Sequence, residues 1–490
     1  MGAAEQWSSG AAVTRPAIPL LDSRFVVKTL GEMLRGQGGS ERVFTRAVIN
    51  SQVTHERDLF VALPGERSDG HLYAAAAVAA GASGCVLGHI VEGTETAARF
   101  YVDDPLTALQ RLGAAWRTAL PDLVVVGVTG NVGKTTTKLI TAQLLGVRYR
   151  TQANEQNYNN EIGVPLCLLE LQTTTERSVI EMGMYTRGEI ALLCEWARPR
   201  TGIVLNVGPV HLERAGSIEK IALAKRELVE ALPVDGHAIL NADDAVVREM
   251  AGHTDAEVTF FGSDERADVR GVEVESRGAS GFTFTLEVHE QRRRLAVPLP
   301  GTHLLSNVLA GIAAALVEGV TLDEVCEATE QLAVPLRLAV SEMPGGITLL
   351  DDTYNANPAS MRAALDLLAE MPGRHVALLG DMLELGSETE SAHASVGKLA
   401  AQEVEVLLTI GQLGSRIAEV ARESGASDVT HLGTKDDAVR TLAERLRPGD
   451  VLLVKASNVL HLETVVRDLR GELEVGKASD SSIDTSGETA

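Results

Sequence analysis

Aromatic side chains are scarce in this chain, at 3% of 490 residues, so its cores must be built mainly from Ala, Val and Leu. Long hydrophobic runs are missing too: no stretch approaches the ~20 apolar residues of a membrane span. The N-terminal MGAAEQWSSGAAVTRPAIPL lacks the basic start and continuous apolar stretch of a secretion signal. Cysteine is sparse and unpaired in sequence. Cys85, Cys167, Cys194 and Cys326 form no CxxC, which argues against a zinc knuckle or a disulfide framework and for reduced thiols in a cytoplasmic compartment. Positive charge is also short, with 44 Lys and Arg against 67 Asp and Glu and a net charge of -23. A surface of that sign repels a polyanion, so the expectation is no nucleic-acid partner, no membrane span and a soluble cytoplasmic protein. An anionic small substrate would need a locally basic cleft.

What is present points to an α/β class. At roughly 150 residues per domain the length predicts about three domains. From Phe25 to Asp103 short apolar runs alternate with Gly-rich turns, which predicts a smaller mixed α/β domain over 1–104, with Asp103-Asp104-Pro105 as its border. Apolar runs at Leu123–Val128, Ser178–Met182, Gly202–Val207 and Ala238–Leu240 then read as buried parallel strands, the core of a central parallel-sheet domain over 105–334. After a helix-rich stretch from His303 to Leu332 and a border near Val334-Pro335, the alternation restarts. Strands at Ile347–Leu350, His375–Leu379, Val404–Ile410 and Val451–Lys455 predict a Rossmann-like domain over 335–470. The polar tail, 471–490, reads as disordered.

The segment GVTGNVGKTTTK, Gly127–Lys138, carries the chemistry. A strand, a glycine loop and a helix put backbone N–H groups and a helix N-terminus around phosphate oxygens. Gly130, Asn131, Val132, Gly133, Lys134, Thr135 and Thr136 are the candidate nucleotide contacts, with Lys134 on the β- and γ-phosphates and the Thr135 hydroxyl on a magnesium ion. The segment is a variant of the phosphate-loop pattern, with Val128 where the usual first glycine stands. The next strand ends in Glu181 and the one after in Asn206, with His211 close behind. Carboxyl ends of parallel strands face the ligand crevice, so Glu181 and His211 are candidate metal ligands.

These residues, with QNYNNEIGVPLCLLEL (Gln156–Leu171), VIEMGM and RGEI (Val179–Ile190), LPGTHLLSNVLAGIAAA (Leu299–Ala315), LLDDTYNANPASM (Leu349–Met361) and LLGDMLELG (Leu378–Gly386), resemble the Mur ligase family, closest to its MurF type. The similarity covers about Phe25 to Leu469. It implies three domains: an N-terminal one for a UDP-sugar, a central ATPase with P-loop, and a C-terminal one that helps bind the amine. The implied reaction uses ATP and Mg2+ to activate the terminal carboxylate of UDP-N-acetylmuramoyl-tripeptide as an acyl phosphate, which D-alanyl-D-alanine attacks. The family match also implies a carbamylated, metal-bridging Lys225, and it makes Lys134, Lys225 and His211 the catalytic set. It puts His303 and Asn307 on the adenine side, Arg337 and Asp352 on the nucleotide from the C-terminal domain, and Ser51, Asn159, Asn160, Asn355 and Asn357 near the substrate. A monomer is expected. Read without the resemblance, Lys225 is a solvated lysine on a polar helix face and Asn355-Ala356-Asn357-Pro358 a turn.

Departures from the family pattern cluster on the substrate side. Asn50-Ser51-Gln52 replaces a usual Asp-Ser-Arg, Tyr185-Thr186 an Asn-His pair, Leu336 a Gly, and Ala456-Ser457-Asn458 a Gly-Ser-Arg. They leave open a related ligase that adds a different amino acid, or a nucleotide-binding scaffold without ligation. The Asp-Asn-Pro-Arg motif of the tripeptide synthetase is absent.

Overall fold

A computed structural model of the chain describes residues 20–65, 68–154, 158–208 and 217–481. The chain divides into two compact units, one running to Asp122 and taking back Leu168–Thr174, the other holding the rest.

In the first unit, five strands lie in the order Leu34–Gly38, Ala98–Val102, Gly84–Leu87, Leu59–Val61, Ala47–Val48. The first pair is antiparallel and the others parallel. The expected border at Asp104 is displaced to Asp122. Asp104 caps a helix instead of opening a linker: its carboxylate accepts the Leu106 N–H, Pro105 takes the first turn, and the helix runs Pro105–Thr118. That helix stays with the first unit through Trp116. Its ring meets Phe25 edge to face at 5.4 Å, and its indole N–H donates to Leu171 O at 3.0 Å.

The second unit contains two sheets. The larger has nine strands, ordered Gln291–Val297, Phe282–Val288, Val269–Ser276, Glu257–Gly262, His237–Asn241, Thr201–Val204, Val124–Thr129, Arg177–Glu181, Thr151–Ala153. It is parallel from Thr151–Ala153 to Val269–Ser276, and the last two strands join antiparallel. The period-two alternation of Val124–Thr129 sends its side chains to opposite faces. Val126 and Val128 pack with Ile140 and Val308 from the helices Lys134–Gly146 and Leu305–Val317. Gly127 faces the other way, so close to the helix Ile218–Glu230 that a Cβ there would lie 2.9 Å from Leu228. Helices on both faces of a parallel sheet are what the apolar strands require, since neither face can be left to water.

The smaller sheet orders its six strands Ala339–Met343, Ile347–Asp352, Asp450–Lys455, Arg374–Leu379, Val406–Ile410, Val429–Leu432, parallel except for the first hairpin. Alternate residues feed two separate cores: Leu350, Ala377 and Leu379 on one face, Leu349, Val376 and Leu378 on the other. This is the Rossmann-like sheet expected from the strand spacing. The final helix, Glu463–Ser481, continues past Gly471, where the sequence reading starts a disordered tail. Apolar positions Val465, Val466 and Leu469 bury its first turns against the sheet and carry it on.

Candidate functional site

The phosphate loop joins the strand Val124–Thr129 to the helix Lys134–Gly146, and its shape is held from outside. Asn206, at the end of the neighbouring strand, accepts the Asn131 and Val132 N–H groups on one oxygen at 2.9 Å each and donates to Val132 O at 3.0 Å. Asn131 in turn exchanges two hydrogen bonds with the Gly208 backbone. Gly133 caps the helix with φ +85, a left-handed conformation that suits glycine. The buried Asn307 amide also presses on this point, donating to Gly133 O at 3.2 Å and to Thr137 Oγ1 at 2.9 Å. A Cβ on Gly133 would lie 2.3 Å from that nitrogen. Asn307, expected on the adenine side, is thus placed as a brace for the loop.

Lys134 folds its ammonium back onto Gly130 O and Asn131 O, at 2.8 and 3.2 Å. Burial, with the nearby Arg337 charge, lowers its pKa, while Glu181 opposes the shift. Glu181 is buried, and its carboxylate accepts from the Thr135 hydroxyl and from Asn159 Nδ2, both at 2.8 Å. Lys138, buried beside it, donates to Asn154 O at 2.6 Å and stands 3.9 Å from the carboxylate. Thr136 lies half-buried in the first helical turn. A threonine hydroxyl against a carboxylate is a hard oxygen donor pair of the sort magnesium takes, with phosphate oxygens and water completing its shell. Among the described residues no group of three or more His, Cys, Asp or Glu is placed to hold a metal. His211 lies outside the described residues.

A cavity of about 250 Å3 opens beside the loop, lined by Gly130, Lys134, Asn159, Asn160, Tyr185 and Lys225, among others. Lys225 is 3% exposed, against the solvated position its polar helix suggests. No hydrogen bond or ion pair holds its ammonium among the described residues. Burial and the Lys134 charge push its pKa well below the usual lysine value, toward the neutral amine. Its helix is located by Glu227, whose carboxylate accepts the Gly188 and Ala191 N–H groups at 2.7 and 3.0 Å. Asn160 lines the cavity but uses its oxygen to accept the Gly163 N–H at 2.9 Å.

Arg337, two residues before the smaller sheet begins, reaches the same loop. Arg337 donates to Thr135 Oγ1 at 3.0 Å, and its guanidinium lies over the Tyr354 ring, 4.3 Å from the centroid. Asp352 forms a buried ion pair with Lys455 at 2.5 Å, and Lys455 also donates to Asn355 O at 2.7 Å. Burial lowers the Lys455 pKa while Asp352 opposes the shift. His303 keeps an exposed edge, yet the atoms packed around it lower its pKa, with Asp352 and Glu370 opposing the shift. Asn357 is the N-cap of the helix Pro358–Glu370, in a reciprocal box with Ser360. Its side-chain oxygen is therefore engaged in the turn that the local sequence suggests. Ser51 belongs to the first unit, in the short helix Ser51–Val53. The GDMLELG segment is structural at its aspartate: Asp381 accepts the Leu413 and Gly414 N–H groups at 2.9 and 2.8 Å.

Four contributors went unassigned in the sequence reading: Lys138, Tyr354, Lys455 and Asn206, which was named only as a strand end. Lys138 and Tyr354 stand inside motifs already singled out, and Lys455 ends a predicted strand, so their positions were the available signal.

Two family models match the chain, the Mur ligase middle domain over residues 128–315 and the Mur ligase glutamate ligase domain over 336–458. The UDP-N-acetylmuramoyl-tripeptide--D-alanyl-D-alanine ligase of Bacillus subtilis (strain 168) is 35% identical over 454 residues, 90% of this chain and 98% of its own. Among solved structures, MurF from Acinetobacter baumannii matches with a TM-score of 0.81 at 29% identity, over 92% of this chain and all of that one. The MurF ligase of Thermotoga maritima in complex with ADP matches with a TM-score of 0.76 at 29% identity, over 88% of this chain and 98% of that one.

Proposed function

The chain belongs to the Mur ligase family, and from that premise we propose how its site works. It is a three-domain, ATP-dependent ligase that adds D-alanyl-D-alanine to UDP-N-acetylmuramoyl-tripeptide in peptidoglycan precursor synthesis. The observation that carries the mechanism is that Lys134, on the phosphate loop, and the buried Lys225, unpartnered among the described residues, line one cavity.

A carboxylate is a poor electrophile and is repelled by a polyphosphate, so activation needs positive charge at the point of contact. In the proposed sequence a carboxylate oxygen of the tripeptide attacks the γ-phosphorus of ATP, and the bond to ADP breaks. The amine of D-alanyl-D-alanine then attacks the acyl phosphate carbon, the C–N bond forms, phosphate leaves, and the amine loses a proton. Lys134 would leave its two carbonyls for the β- and γ-phosphates, while Asn206, which takes the Asn131 and Val132 N–H groups, and Asn307 hold the shape of the loop. Thr135 and Glu181 would hold magnesium, which when bound offsets phosphate charge; His211 is proposed as a further ligand. Lys225 has the environment a carbamate needs, a buried amine whose pKa is pushed down by burial and by Lys134, lining a cavity. Asp352, Arg337 and His303 are proposed on the nucleotide, and Asn159, Asn160, Asn355 and Ser51 on the substrate. Asn307 and Asn357 we assign to bracing and capping instead. Among the described residues no helix is long and apolar enough to cross a membrane, and we place the reaction, by a monomer, in the cytoplasm.

The test is mass spectrometry of the products from a panel of UDP-muramyl peptides and amino-acid or dipeptide acceptors. The reading expects the pentapeptide from D-alanyl-D-alanine; transfer to a single amino acid in its place would overturn it. Lys134→Ala should abolish acyl-phosphate formation with the fold intact, and near-normal ligation by that variant would remove the mechanism.

A further inference from the structure

Arg337 is exposed and lies outside any helix or strand, yet it reaches the first turn of the phosphate-loop helix. Lys134 opens that same turn, so two cations belong to the start of one helix. Like charges repel, and something must hold the guanidinium there. No carboxylate does so among the described residues. Its contacts are one hydrogen bond to the neutral Thr135 hydroxyl and the face of Tyr354.

We propose that Tyr354 is a positioning residue for the nucleotide site, its ring seating the Arg337 guanidinium against the start of the phosphate-loop helix. A ring is the right support for the purpose. A carboxylate would take the N–H fork edge-on and occupy the donors a phosphate needs, whereas an aromatic face holds the guanidinium plane and leaves its edge free. The negative face of the ring also offsets part of the repulsion from Lys134. The platform itself is anchored: Asn458 Nδ2 donates to Tyr354 O at 3.1 Å, and Lys455, paired with the buried Asp352, donates to the next carbonyl, Asn355 O. Asn458 is thereby engaged in holding the tyrosine backbone. The Tyr354 hydroxyl makes no hydrogen bond among the described residues, so the ring and not the phenol is the working part.

The inference rests on the nucleotide site proposed above, and its test does not require ligation. Titration of the full chain with a non-hydrolysable ATP analogue and magnesium reads the site directly. Tyr354→Leu is expected to raise Kd about 2- to 5-fold, the range of an exposed cation–ring contact. Tyr354→Phe, which keeps the ring, should bind like the parent. In an Arg337→Lys background, where the planar group is gone, Tyr354→Leu should add nothing. Parent-like binding by Tyr354→Leu, an equal loss in Tyr354→Phe, or full additivity with Arg337→Lys would each overturn the assignment. Failure of the parent to bind the analogue at all would instead remove the nucleotide site itself, and the inference with it.

Discussion

Gly133→Ala is the sharpest perturbation of the phosphate loop, because two independent observations set its size. The residue sits at φ +85, where an L-residue costs ~1–2 kcal/mol. Its new Cβ would fall 2.3 Å from Asn307 Nδ2, so the amide must leave. That breaks its bonds to Gly133 O and Thr137 Oγ1, each worth about 1 kcal/mol. Together these give ~3–4 kcal/mol. At 2–4 °C per kcal/mol for a folding unit of roughly 200 residues, the loss is about 6–16 °C in Tm. Differential scanning calorimetry reads it, the relevant transition being the one an ATP analogue raises, since a ligand of the native state stabilises the part that binds it. Asn307→Ala alone loses only the two hydrogen bonds, ~2 kcal/mol. The double variant should fall no further than Gly133→Ala, because the amide that clashes is already gone, a coupling of ~2 kcal/mol. A drop of less than about 2 °C for Gly133→Ala, or a double variant that falls by the sum of the two singles, would refute the reasoning.

Three more outcomes are expected. Ligation in buffer depleted of carbon dioxide should decline and recover on adding bicarbonate, whereas Lys225→Arg should be slow in both; rates indifferent to bicarbonate would remove the carbamate. Asn357→Ala should cost about 1 kcal/mol in urea unfolding through the lost helix cap, while Asn357→Ser, which restores a capping oxygen, should keep both stability and the KM for D-alanyl-D-alanine; a large KM rise in Asn357→Ser would return the residue to the substrate site. Asp381→Ala should cost about 1–3 kcal/mol by leaving two inward N–H groups unpaired while sparing the Kd for ATP, and selective loss of ATP binding would show that its role is not structural.

Much of the second unit was legible because its signals are local. Four apolar runs predicted strands that lie side by side in the larger sheet, and four more predicted strands of the smaller one. The alternation Phe282, Phe284, Leu286, Val288 also marks a strand with one buried face, although the sequence reading did not claim it. The border at Asp104 was misplaced because an Asp-Pro pair opens a helix as readily as it ends a domain; only the packing of Trp116 decides which unit that helix joins.

The sequence alone determined the phosphate loop, since a glycine loop between a strand and a helix creates its binding groups from consecutive backbone atoms. It did not determine what those atoms are braced by. Asn206 reaches the loop from 75 residues away, Asn307 from 174 and Arg337 from 202. Lys225 shows the same division: its helix reads as polar, and only the sheet beneath and the cavity beside it leave the amine buried at the cavity wall. Burial and distant hydrogen bonds belong to whatever packs against a residue, and that is decided when the sheets close, not by the neighbours in sequence.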